Sequence, residues 1–112
     1  MILTKTEPFT KDEIVKLCEE FETYIKTVID VERKVCSAGM NRHFEGEILL
    51  LDARSSQSDI WGGGIDIETI EIDFNSFINI RPRDNNRGER IENLEVQDVY
   101  RTLTEFFFKE IV

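Results

Sequence analysis

The spacing of apolar residues changes twice along the chain. Ile14, Leu17, Cys18, Phe21, Ile25 and Val28 recur at helical spacing, while Lys16, Glu19, Glu20 and Lys26 fall away from that stripe. Thr10-Lys11-Asp12-Glu13 just before it has the capping-box pattern, in which the side chains at both ends satisfy unpaired backbone donors of a first turn. A helix is therefore predicted to start there. From residue 28 the period falls to two: Ile29, Val31 and Val35 alternate with Asp30, Glu32 and Lys34, which predicts a half-buried strand. After the AGMN turn, His43 to Leu51 is predicted as a second strand with Phe44, Ile48 and Leu50 on its apolar face. Matching the two apolar faces sets the hairpin register, Ile29 opposite Leu50 and Val31 opposite Ile48.

Shorter alternating runs predict strands at Gly64–Ile67 and Ile70–Phe74, with Glu68 and Thr69 at the turn, and at Phe77–Arg81, closed by Pro82. Residues Ile2 to Lys5 read as an edge strand closed by Pro8. A second helix follows Asn93 as N-cap, with Glu95 near its positive end, Lys109 near its negative end, and a stripe of Val96, Val99, Tyr100, Leu103, Phe107 and Ile111. Strands in sequence between two terminal helices predict a single α+β domain over residues 1–112. Its antiparallel sheet of about five strands carries the N-terminal and C-terminal helices on one face.

Composition narrows the field of functions. With 112 residues, 40% hydrophobic and 33% charged, the chain can build one core and no more. A formal charge of −9 disfavours general nucleic-acid binding and adhesion to anionic membranes. The N-terminus lacks the apolar run of a signal peptide, and no stretch approaches the roughly 20 apolar residues of a membrane span, so a cytoplasmic protein is expected. Cys18 and Cys36 have neither disulfide-framework nor zinc-site spacing, and no pattern implies a cofactor or a bound metal.

The segments HFEGEILLL, SQSDIWGG, FNSFINIRP and NNR together resemble an uncharacterised prokaryotic family of short acidic proteins, a domain of unknown function. The likeness spans about residues 28 to 90. Its pattern falls on His43, Glu47, Leu49 to Leu51, Ser56, Gln57, Trp61, Gly62, Asn79, Arg81, Pro82, Asn86 and Arg87, and the chain departs from it around GGGIDIET and at Arg83, Asp84 and Asn85. The resemblance implies a coherent domain and supplies no mechanism.

Candidate chemistry concentrates in two places. INIRPRDNNRGER at 78–90 puts Arg81, Arg83, Arg87 and Arg90 into one long loop, where Asn79, Arg81, Asn86 and Arg87 could present donors to a phosphate or carboxylate. Within it Arg81 and Arg87 are expected to act as a pair, with Arg83 and Arg90 facing solvent. Asp84, Glu89 and Glu92 could equally neutralise the loop as a salt-bridged surface. In the expected hairpin register, His43, Glu45 and Glu47 share a face with Glu32 opposite Glu47, which would suit metal-assisted or acid–base chemistry or be only a solvated charged face. Cys36 would lie near His43 there, a nucleophile pair without an orienting group. The WGGG run at 61–64 lacks the Lys and Ser or Thr of a P-loop and reads as a bulge or a place where another segment approaches closely.

The leading expectation is a small cytoplasmic binding module for an anionic ligand at the arginine loop. The alternatives are an enzyme using Glu32, His43 and Glu47, and a structural protein that self-associates. A homodimer is expected because a one-sided helical layer leaves a bare sheet face and because Phe106 to Phe108 exceed one stripe.

Overall fold

Tyr24 to Asp30, YIKTVID, is the segment around which the rest is arranged. In the computed structural model, which describes residues 1–112, it forms β2, and the burial along it is almost continuous instead of alternating. Such a strand is covered on both faces. Helix α1, Lys11–Phe21, therefore stops sooner than the stripe of Ile25 and Val28 suggests: Glu22 turns to φ 63°, and the β-branched run that follows is extended. The capping box at Thr10 and Glu13 is present as expected.

Strand β1 is Leu3–Lys5, β3 is Val35–Ala38, β4 is Ile60–Asp66 and β5 is Ile72–Asp73. They form one antiparallel sheet in the order β1-β3-β2-β4-β5. The α+β class, the five antiparallel strands and the edge position of the first strand all agree with the sequence reading. Ile25, Thr27 and Ile29 of β2 face α1 and α3 (Leu94–Phe107, N-capped by Asn93), in a core with Leu17, Ile65, Phe74, Tyr100 and Phe107. Tyr100 is tied to β2 through its hydroxyl, 2.6 Å from Thr27 Oγ1.

The predicted second strand is corrected. His43–Asp52 is a helix, α2, covering the opposite face of the sheet, where Val28, Met40, Leu50 and Ile60 form a second, smaller core. HFEGEILLLD has a single β-branched residue and is rich in good helix formers, so its apparent alternation does not decide. The pairs Ile29–Leu50 and Val31–Ile48 do not exist: Ile29 lies between Cys36 on β3 and Trp61 on β4. With α2 in place no bare sheet face remains, and Phe107 and Phe108 turn inward onto Phe9, at ring separations of 6.1 and 5.1 Å, so the first ground given for a homodimer falls and the second is reduced to Phe106, 41% exposed.

The last predicted strand is also corrected. Phe77–Asn79 and Pro82–Asp84 are single 3₁₀ turns, and Arg81 meets only Asn86, in one isolated bridge. Strand β4 starts earlier than expected, so the whole WGGG run lies within it. A Cβ on Gly62 would meet Ser76 Cβ at 2.7 Å, one on Gly63 would strike Asp73 O, and one on Gly64 the Tyr24 hydroxyl. The run is where neighbouring segments approach, one of the two readings given to it.

Helix α2 sits on the sheet through Gly46, where a Cβ would meet Met40 Cε at 2.6 Å and Val28 Cγ2 at 3.0 Å. Gly46→Val should lower the unfolding free energy by roughly 1–3 kcal/mol through overpacking, read from the urea midpoint. An unchanged midpoint would mean that α2 is not seated on Val28.

Candidate functional site

The four residues expected to bind an anion are held by their own chain. Asn79 is fully buried; its Oδ1 accepts from Gly62 N at 2.8 Å, and its Nδ2 donates to Gly62 O, Phe74 O and Glu89 O at 2.9, 3.2 and 2.9 Å. Asn86 does the same one turn on, donating to Asn79 O, Gly88 O and Arg90 O and accepting from Glu92 N. Arg81 donates through Nη1 to Gln57 O and Ile60 O at 2.8 and 2.7 Å, stacks 4.3 Å from the Trp61 ring, and places Nε 3.1 Å from Asp84 Oδ2. Burial lowers the Arg81 pKa, while Asp84, Glu47 and Asp59 act against that shift.

Arg87 is exposed, and its backbone N–H, with that of Gly88, cradles the Glu92 carboxylate at 2.8 and 2.9 Å. Those two amides, Gly88 first, hold the Glu92 carboxyl below its usual range. The anion cradle of the loop is thus filled by a carboxylate of the same loop. The hollow beside Arg81, about 360 Å³, is lined by Gln57, Arg81, Pro82, Arg83 and Asp84 and by none of the other three. Arg83 and Arg90 face solvent, but so does Arg87.

The second set is separated by the change of strand into helix. Glu32 lies in the turn after β2, beside Arg33, whose Nη1 donates to Ala53 O past the C-terminal end of α2. His43 opens the other end of that helix, about 15 Å along its axis. The juxtaposition of Glu32 with Glu47 is lost with the hairpin, and no three His, Cys, Asp or Glu side chains are grouped to hold a metal. Glu47 does point inward, one turn from His43: its Oε2 and Arg81 Nη2 are both buried without a hydrogen-bond partner. Cys36 lies on the α1 and α3 face, across the sheet from His43, and burial pushes its thiol far up.

What sequence reasoning missed is a groove at the start of α2. About 500 Å³ in volume, it runs between the first turn of that helix and the 76–78 turn. Its polar lining is Lys26, Asn41, Arg42, His43 and Ser76, and its apolar lining is Phe44, Phe77 and Ile78. No carboxylate lines it, in a chain with 23 of them. Lys26 and Arg42 have no ion-pair partner within 4.0 Å. Glu45 reaches back to Arg42 N at 2.8 Å, but no side chain caps the first-turn amides of α2, whose positive dipole end opens here. A helical reading of 43–52 would have brought Arg42, His43 and Phe44 together at that end.

His43 sits 2.7 Å from the Gly63 carbonyl through Nε2. A carbonyl oxygen only accepts, so Nε2 carries the proton and Nδ1 is left as an acceptor. Burial lowers the His43 pKa; the bond to Gly63 opposes this and the nearby Lys26 reinforces it. The imidazole is therefore neutral at pH 7.

A family model described as a protein of unknown function, DUF5674, matches residues 2–106, and the chain belongs to that family. Neither comparison, with curated proteins or with solved structures, gives a match. No helix is long and apolar enough to cross a membrane.

Two measurements check this geometry. Asn79→Asp keeps the shape of the side chain but turns an oxygen toward three carbonyls, and it should cost at least about 3 kcal/mol of unfolding free energy. Were Asn79 a ligand-facing residue instead, stability would hardly move. As the only histidine, His43 gives one resolvable imidazole titration by NMR, expected below 6.5. With its folded pKa lowered, the unfolded chain binds more protons between the two values. Stability is then complete above about pH 6.5 and falls as pH drops toward the folded pKa. His43→Gln should remove that part of the slope.

Proposed function

We propose that this member of a family without an assigned activity is a binding module for a small anion with an apolar or aromatic body, and that the ligand occupies the groove at the start of α2. The observation that carries the reading is the lining itself: two unpaired cations, uncapped helix amides and no carboxylate, set in a chain of net charge −9. The exposed acidic surface repels anions at long range, so a site that takes one has to work through local donors. Lys26 and Arg42 supply charge, and Phe44 and Phe77 supply apolar walls for the body of the ligand. Neutral His43 offers Nδ1 to a ligand hydroxyl, which favours a head group that is itself part-protonated, as a phosphate monoester is near neutral pH.

The arginine loop enters this reading as support. Asn79 fixes the turn that carries Phe77 and Ile78, and Arg81 fixes the segment after it, so one wall of the groove is rigid before any ligand arrives. A wall already in place leaves less freedom to be lost on binding.

Phenyl phosphate is a suitable probe, followed by amide chemical shifts on the full chain. Shifts are expected at Lys26, His43, Phe44 and Phe77, weaker with inorganic phosphate and absent with phenol. Lys26→Ala or Arg42→Ala should each weaken binding at least about tenfold, the loss of one charge-assisted hydrogen bond, while Arg83→Ala and Arg87→Ala should change it less than about twofold. Equal losses at all four positions would reveal diffuse attraction, and no shift at millimolar phenyl phosphate would end the proposal.

A further inference from the structure

His43 is the one histidine of the chain, and the groove is where its free nitrogen opens. Nε2 is committed to Gly63 O at 2.7 Å, which fixes the ring, while Nδ1 has no partner in the chain and is not enclosed. A hydrogen bond from Nε2–H to a carbonyl raises the basicity of the opposite nitrogen. A neutral imidazole, held in one orientation with that lone pair open, is a nucleophile. Ser76 is no rival to it: its hydroxyl is buried, accepts from Ile78 N at 3.2 Å and makes no hydrogen bond to His43.

What surrounds that nitrogen selects the electrophile. Lys26 and Arg42 bring positive charge, the first turn of α2 brings amides that no side chain caps, and no carboxylate lines the opening. Glu45, in the same helical turn, reaches back to Arg42 N and is not part of the lining. An alkyl or acyl group arriving at Nδ1 would gain nothing from these neighbours. A phosphoryl group, with three oxygens and about two negative charges, is stabilised by all of them. Phe44 and Phe77 are left as walls for the rest of the donor.

We infer that His43 Nδ1 is a phosphoryl acceptor, and that the groove takes a phosphoryl group from an aromatic acyl phosphate to form a phosphohistidine. The inference rests on the groove being the anion site proposed above and adds a covalent step to it. The Nδ1 lone pair forms a bond to phosphorus as the bond from phosphorus to the bridging oxygen breaks, and that oxygen leaves with the electron pair as part of a carboxylate. A carboxylate is a weak base and departs without a proton, which suits a lining that has no carboxyl group to supply one. Nε2 keeps its proton, and the positive charge that the ring acquires is met by the Gly63 carbonyl and by the phosphoryl oxygens. A phosphate monoester has a more basic leaving oxygen, so it is bound and not cleaved, and phenyl phosphate reports on binding alone.

Benzoyl phosphate, followed by mass spectrometry on the full chain, tests this. The folded protein is expected to gain one phosphoryl group, stable in alkali and lost in acid, which peptide fragmentation places on His43. It should gain that group at least about tenfold faster than the same chain in urea, where the imidazole has lost its neighbours. Lys26→Ala and Arg42→Ala should each slow the reaction at least about tenfold. His43→Gln, whose amide keeps a donor for Gly63 O, should abolish it, and the fragment map of the wild-type protein assigns the residue independently of that variant. Acetyl phosphate, without the aromatic body, should react more slowly. No phosphoryl adduct, a phosphoryl group on another residue, or equal rates folded and in urea would each overturn the inference. Any of these results alongside phenyl phosphate shifts would leave the groove as a binding site only, because those shifts measure occupancy without any bond being made.

Discussion

Burial of β2 on both faces is the constraint from which the other features follow. A strand with Ile25 and Ile29 on one side and Val28 on the other has apolar surface to cover twice, and two terminal helices on one side cannot do it. The third layer has to come from the middle of the chain, between β3 and β4, and the only segment there long enough is 43–52. Once α2 lies across Val28 with Gly46 in contact, its first turn falls over Lys26 and Gly63, and the groove is a consequence of that placement. The glycines of β4 belong to the same logic. Gly62 admits Ser76, Gly63 admits β5 and Tyr100, and Gly64 admits Tyr24, so the sheet is thin where its neighbours press closest.

The asparagine and arginine signature of residues 79–90 is architectural in the same sense. A loop leaving β5 and returning to α3 without a strand of its own carries many backbone donors and acceptors that need partners when buried. Asn79 and Asn86 supply those partners, each spanning segments that no β-ladder joins. Arg81 does so for Gln57 O just before β4 and Ile60 O at its start, and adds a stacked contact with Trp61. Arginine serves such a position better than lysine because its planar guanidinium satisfies two carbonyls and still presents a face to an aromatic ring. Residue types that read as a ligand site are here a substitute for regular structure.

The two helices with strong amphipathic stripes and a side-chain N-cap, at Thr10 and Asn93, were legible in the sequence, and so was the antiparallel sheet. The failure at 43–52 has a physical cause. Phe44, Ile48 and Leu50 share a parity that mimics a strand, while the residues that face the sheet are Gly46 and Leu50, and a glycine gives no apolar signal. The stripe that does have helical spacing, Phe44, Ile48 and Leu51, points to solvent. Periodicity reports burial only when the buried face is the apolar one, and in α2 the exposed face is equally apolar. The single turns at 77–84 were read as a strand for a related reason: Asn79 is buried for its hydrogen bonds, a role that hydrophobic patterning does not register.

The same placement decides where unspent charge remains. The side of β2 that faces α2 presents Lys26, Val28 and Asp30 in turn. Val28 is consumed in packing. Asp30 is consumed at the end of the strand, where its carboxylate accepts from Glu32 N and Arg33 N at 3.0 and 2.8 Å and from Ser55 Oγ at 2.5 Å. Tyr24, next to Lys26 on that side, is consumed by Asp73, which takes its hydroxyl at 2.6 Å. Lys26 alone keeps its charge unpaired, 5.7 Å from the Tyr24 ring and at the mouth of the groove. A half-buried ammonium beside an uncapped helix start is costly to maintain in a fold that could have paired it with any of 23 carboxylates. The fold instead spends its carboxylates at the far end of the same strand and on the loops, and leaves the cation and the amides facing one opening.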